Sequence, residues 1–167
     1  WSTVSTGAYT LAQFNRVALA SETHAGANHT AYDFGTAITT TPSASTDLIE
    51  LTINLNIEGT QDGYYGIAFG VHTSDSWDTG TNSSKLKISS GEHAIGMGLG
   101  DDSERYQRVS LIGTYSLSDL GMSAGTQYYV KPHIISHNPA GQIITAVSTT
   151  NVTSAGKGNF YLKRWTA

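Results

Sequence analysis

Residues 73–84, Thr-Ser-Asp-Ser-Trp-Asp-Thr-Gly-Thr-Asn-Ser-Ser, carry the densest set of groups in the chain suited to recognition chemistry. Trp77 offers a flat apolar face that stacks on a sugar ring, while Asp75, Asp78 and Asn82 beside it can fix hydroxyls. A tryptophan in a loop is also commonly a plug that anchors the loop to the core. Both readings of Trp77 stand. The segment is the candidate ligand site of this chain, with Asp75, Trp77, Asp78 and Asn82 as its residues.

Other constellations carry less. Glycoside hydrolysis needs two carboxylates, and Asp75/Asp78 and Asp101/Asp102/Glu104 supply pairs. Both groups lie in strongly polar segments, where solvent leaves a carboxyl ordinary, whereas an acid catalyst needs a raised pKa. No catalytic residue is expected. His133 and His137 are four apart and share one face of a strand, and His24 and His29 flank a glycine-rich loop. Zinc needs three or four ligands at short spacing, so these read as surface histidines, and no metal is expected. The run Gly96-Met-Gly-Leu-Gly100 superficially matches a phosphate cradle, but no helix follows it to supply the N-terminal amides. No cofactor is expected. Sequons at Asn28, Asn82 and Asn151 are uninformative in a chain this rich in Ser and Thr.

Composition narrows the class. The chain has 167 residues, enough for one domain with a real core and no covalent staples. Cysteine is absent, which removes disulfides and thiolate chemistry. Charged residues make 13%, whereas Ser and Thr make about a quarter, so solubility rests on hydroxyls and amides. A net charge of -4 with 9 scattered Lys and Arg argues against nucleic acid. The local basic cluster, Lys163-Arg164 near Lys157, reads as the solvated side of a last strand. No apolar run is long enough to insert in a membrane.

The elements that must position these groups are strands. Residues 47–58 alternate Ile49, Leu51, Ile53, Leu55 and Ile57 against Glu50, Thr52, Asn54, Asn56 and Glu58. Successive strand side chains point to opposite faces, so this segment has one buried and one wet face. Burying each aliphatic contributes about 1.5–3 kcal/mol. Residues 9–20 fit a helical stripe as well as a strand, and Asn15 and Arg16 interrupt the stripe, so a strand is expected. Residues 64–72 place Tyr65, Ile67, Phe69 and Val71 on one face and Gly66, Ala68 and Gly70 on the other. Small residues at alternate positions imply that something packs close to that face. Further strands are expected at 30–37, 85–88, 93–99, 105–115, 127–137, 142–150 and 158–165, with a connection at 116–126. Eight or nine short strands with no βαβ rhythm predict an all-β fold, an antiparallel sandwich of jelly-roll type.

Tyr32-Asp-Phe-Gly-Thr-Ala-Ile38 followed by Asp47-Leu-Ile-Glu-Leu, then Ala124-Gly-Thr-Gln-Tyr-Tyr-Val130 and the terminal Asn159-Phe-Tyr-Leu-Lys-Arg164, resemble parts of one known class. They are similar to the C-terminal head domains of bacteriophage tail fibres and related receptor-binding proteins. The last strands also resemble TNF-like jelly rolls. The resemblance covers about half the chain, in organisation rather than signature. It implies a homotrimer on the virion surface that presents loops to a bacterial cell-surface receptor, commonly a polysaccharide. It implies residues 1–8 as a lead-in from an upstream fibre segment and 9–167 as one head domain. Gly66/Ala68/Gly70 or Tyr128/Tyr129 are then expected at subunit contacts. Two other roles share these features: a carbohydrate-binding module of a secreted bacterial enzyme, and a structural decoration of a capsid or fibre.

Overall fold

A computed structural model describes residues 8–19, 22–26, 31–33, 35–59, 63–75, 96–99, 105–136, 142–146 and 158–167. Eleven strands and no helix occur among them. They are β1 (Thr10–Ala18), β2 (Glu22–Gly26), β3 (Ala31–Asp33), β4 (Ile38–Thr40), β5 (Leu48–Gly59) and β6 (Gly63–His72). The rest are β7 (Gly96–Leu99), β8 (Arg105–Ser116), β9 (Tyr128–Ser136), β10 (Gln142–Ala146) and β11 (Asn159–Thr166). All pairings are antiparallel, in two sheets.

The topology is that of a jelly roll. β1 and β2 follow one another along β11 and β10, and β3 and β4 follow one another along β9. Taken as one broken strand each, these pairs leave eight strands. The first pairs with the last, the second with the seventh, the third with the sixth and the fourth with the fifth. That is one long antiparallel hairpin. Two further pairings, β11 with β5 and β9 with β6, roll it into a sandwich. The tip of the hairpin falls between β6 and β7; of that interval residues 73–75 are described, and the rest of the Trp77 segment and the strand expected at 85–88 lie outside the described residues.

The ambiguous segment 9–20 is a strand, as expected. A bulge at Ala12 shifts its register on β11 from Leu11↔Trp165 to Gln13↔Arg164. The break between β3 and β4 falls at Gly35, whose φ is +75°, a left-handed conformation that side-chain-bearing residues avoid. A Cβ there would lie 2.6 Å from the buried Leu19 Cδ2.

The strong alternation of β5 is realised in the core. Ile49, Leu51, Ile53 and Leu55 are buried, with Leu111 of β8 and Phe160 and Leu162 of β11 beside them on the first sheet. Phe69, Val71, Tyr128 and Val130 face them from the second. Phe69 ties the layers together, 6.0 Å from the Phe160 ring and edge-on to Tyr115 at 6.3 Å. The connection 117–127 closes one end of the sandwich, because Leu117, Leu120 and Met122 are core residues. Gly121 and Gly125, both at positive φ, turn the chain there.

Two expectations are corrected. Tyr128 cannot serve a subunit contact: it is buried, and its hydroxyl accepts from the Ser123 amide at 2.8 Å. Arg164 is not on a solvated side. It continues the inward positions Phe160 and Leu162 of β11, opposite the buried Ile49, and reaches the buried Asp47, 3.0 Å away.

Candidate functional site

Strand directions fix where the candidate segment begins. His72 ends β6 opposite Tyr129, and Tyr128 of the same strand pairs with Thr40. The connections 41–47, 117–127 and the start of 73–95 therefore gather at one end of the sandwich. The first two are joined by the Gly125 amide, which donates to the Pro42 carbonyl at 2.8 Å. Ser116 and Asp119 form a reciprocal turn: the Ser116 hydroxyl and amide donate to Asp119 Oδ2 at 2.6 and 3.0 Å. Those bonds hold the Asp119 carboxyl below its ordinary range, the hydroxyl bond most.

Of the four predicted site residues the structure describes Asp75. Trp77, Asp78 and Asn82 lie outside the described residues, as do Asp101, Asp102, Glu104, His137 and the three sequons. Asp75 stands in the bend after β6 with its side chain 58% exposed, and its Oδ1 receives Lys131 Nζ at 3.2 Å. Lys131 belongs to β9, and its own side chain is 12% exposed. The pair thus joins the root of the tip connection to the middle of the second sheet.

Around it the register assembles a polar face. Thr39, Tyr129 and His72 form one cross-strand row, Lys131 and Gly70 the next, and Asp33, His133 and Ala68 a third. Phe69, Val71 and Val130 point the other way, into the core. This is the face whose small residues predicted close packing. Gly70 is buried, Lys131 is shielded, and His133 is 6% exposed, so the face is covered around them. The reading of His133 as a surface histidine is corrected on that ground.

What this arrangement can do is bind. An exposed carboxylate held by a shielded ammonium offers acceptors at a fixed position, suited to the hydroxyls of a neutral ligand. Among the described residues no group of three His, Asp or Glu side chains could hold a metal ion. The feature that sequence reading missed is Asp47 with Arg164, the carboxylate fully buried and the guanidinium side chain 15% exposed. Its sequence signal was the alternation of the last strand, in which Arg164 follows Phe160 and Leu162 on the inward face.

No protein-family profile matches the chain, and no curated protein matches it either. Among solved structures, the chain is similar to one from "Structure of infectious bursal disease virus Gx strain", at 9% identity and a TM-score of 0.40. The match covers 91% of this chain and 37% of that one, so this chain spans well under half of that chain's length. A likeness that distant implies neither common descent nor a common role.

Proposed function

We propose that this protein is a non-enzymatic attachment module of a virion, binding a bacterial cell-surface glycan through the connection that follows β6. The observation that carries this reading is the exposed Asp75, tied to Lys131 at the root of a connection that also holds Trp77, Asp78 and Asn82. A rolled hairpin suits such a role, because a rigid two-sheet frame holds a long polar connection at its tip. An aromatic face with amide and carboxylate neighbours is the usual chemistry for a sugar ring. The virion setting rests on the resemblance of the strand–loop–strand segments to phage fibre heads.

The test is binding of the purified chain to bacterial cells and to a glycan array. Periodate treatment of the cells, which cleaves vicinal diols, is expected to abolish binding, while protease treatment leaves it intact. Trp77→Ala is expected to lose binding with an unchanged melting temperature. Binding that survives periodate but not protease overturns the glycan reading. Release of new reducing ends from a bound polysaccharide overturns the non-enzymatic one.

A further inference from the structure

Among the described residues, the outer face of the first sheet carries large apolar side chains exposed to water. Among the described residues the exposed large hydrophobics are Tyr9, Leu11, Phe14 and Ile112, and the last three share this face. Phe14 is 55% exposed and Ile112 66%. The registers lay the face out as rows across β8, β5, β11 and β1. One row is Ile112, Thr52, Tyr161 and Arg16; the next is Thr114, Glu50, Lys163 and Phe14. Beyond it come Ser116, Leu48, Trp165 and Leu11.

The charged groups of this face have partners within it. Lys163 Nζ lies 2.6 Å from Glu50 Oε1, and Arg16 Nε donates to Asn159 Oδ1 at 2.7 Å. The Arg16 guanidinium sits over the Tyr161 ring at 5.9 Å, and Phe14 stacks against that ring at 6.1 Å. A surface whose charges are paired in place costs less to desolvate than one with lone charges, which suits a protein partner.

We infer that this face packs against the same face of a second copy, around a two-fold axis parallel to the strands. An axis passing between β5 and β11 lays β8 of one copy over β1 of the other and β5 over β11, with rows in line. Glu50 then meets Lys163 of the second copy, and Lys163 meets its Glu50, so two ion pairs become a ring of four alternating charges. Ile112 covers Arg16 and, diagonally, Phe14, at both ends of the contact. Such reciprocity is what an isologous interface requires, and facing sheets pack in this way about 10 Å apart. With the row Ser110, Asn54, Asn159 and Ala18 on the other side of Ile112, four strands and four rows give a footprint of roughly 19 by 27 Å, approaching a standard interface once protruding side chains are counted. This pairing stands apart from the glycan site and from the three-fold assembly that the resemblance implies.

Sedimentation of the full chain over a concentration series is expected to show a monomer–dimer equilibrium. Ile112→Arg, which sets two arginines against each other, is expected to weaken dimerisation at least tenfold with an unchanged circular dichroism melt. The chain has no native cysteine. A mixture of Ile112→Cys and Arg16→Cys, treated with a short bis-maleimide, is thus expected to give a covalent dimer that neither gives alone. A monomer at every concentration, a trimer, or a dimer indifferent to Ile112→Arg overturns the inference.

Discussion

Asp47 and Arg164 are 117 positions apart, yet Arg164 Nη1 lies 3.0 Å from Asp47 Oδ2. The carboxylate is 0% exposed and the guanidinium side chain 15%. The Ser43 amide and hydroxyl also donate to Oδ2, at 2.7 and 3.1 Å, and Arg164 Nη1 donates to the Ser43 hydroxyl at 2.9 Å. The pair therefore fastens the final strand to the connection between β4 and β5, across the end that the 117–127 turn closes. Removing one member of a buried pair leaves the other charge uncompensated. Asp47→Ala is expected to lower stability by about 3–5 kcal/mol, read as a fall in the urea midpoint at unchanged slope.

The same carboxylate sets a pH dependence. Burial raises its pKa, but bonds from the Ser43 amide, Arg164, the Ala44 amide and the Ser43 hydroxyl outweigh it, holding it below the ordinary 3.8. A group depressed on folding stabilises fully above its unfolded value, and that contribution is lost as pH falls through the folded one. Wild-type stability is therefore expected to drop below about pH 4. Asp47→Asn, already destabilised at neutral pH, is expected to show a shallower acid loss in urea titrations between pH 5 and 2. An identical acid slope in both proteins would remove Asp47 from the account.

Gly35 and Gly125 separate two costs of adding a side chain. Gly125 has φ +77° and nothing within 4 Å of an added Cβ, so Gly125→Ala meets backbone strain alone, about 1–2 kcal/mol. Gly35 has φ +75° and also faces Leu19 Cδ2 at 2.6 Å, and Leu19 is buried. Gly35→Ala is expected to cost more than Gly125→Ala by about 1–3 kcal/mol, the range for overpacking a core. Equilibrium denaturation of the two variants side by side checks the difference.

The sheets were legible because period two is written wherever one face is dry. β5 shows it without interruption, and β6, β8 and β11 fell within a residue or two of their expected bounds. The jelly-roll order was legible as a class, since regular turn spacing without βαβ rhythm admits few alternatives. The broken strands were not. Gly35 interrupts the expected strand 30–37 because φ +75° is a conformational need that composition does not show. Leu117, Leu120 and Met122 were read as mere connection, for their burial depends on a turn closing the sandwich end and not on any period. Arg164 and His133 were misplaced for different reasons. Arg164 follows the inward alternation of Phe160 and Leu162 but was read as solvated for its charge. His133 sits where alternation points outward, and long-range packing covers it. Asp75 was singled out by residue type, while its ion-pair partner Lys131, 56 positions on, was not.

Phe69 of the second sheet meets two rings of the first, Phe160 at 6.0 Å and Tyr115 at 6.3 Å. It is fully buried. Phe69→Ala is expected to cost about 3–5 kcal/mol by cavity formation, measured by urea denaturation. Ile112→Ala, at the most exposed apolar position, is expected to change stability by less than about 0.5 kcal/mol under dilute conditions.

Asp75 and Trp77 discriminate a recognition loop from a structural plug. The Asp75–Lys131 pair is exposed on the carboxylate side, where solvent screening limits an ion pair to about 0–1 kcal/mol. Asp75→Asn is therefore expected to leave the denaturation midpoint nearly unmoved while weakening cell adsorption, because the side chain keeps its shape and loses its anionic acceptors. Trp77→Ala carries the sharper outcome. A plug that fills core volume costs about 3–5 kcal/mol when truncated to alanine, a shift that a melting curve cannot miss. A ligand-stacking ring costs little stability and removes the adsorption. Adsorption lost together with a large fall in stability would return Trp77 to the core and leave Asp75→Asn as the deciding variant: adsorption unchanged in that protein removes the connection after β6 from recognition.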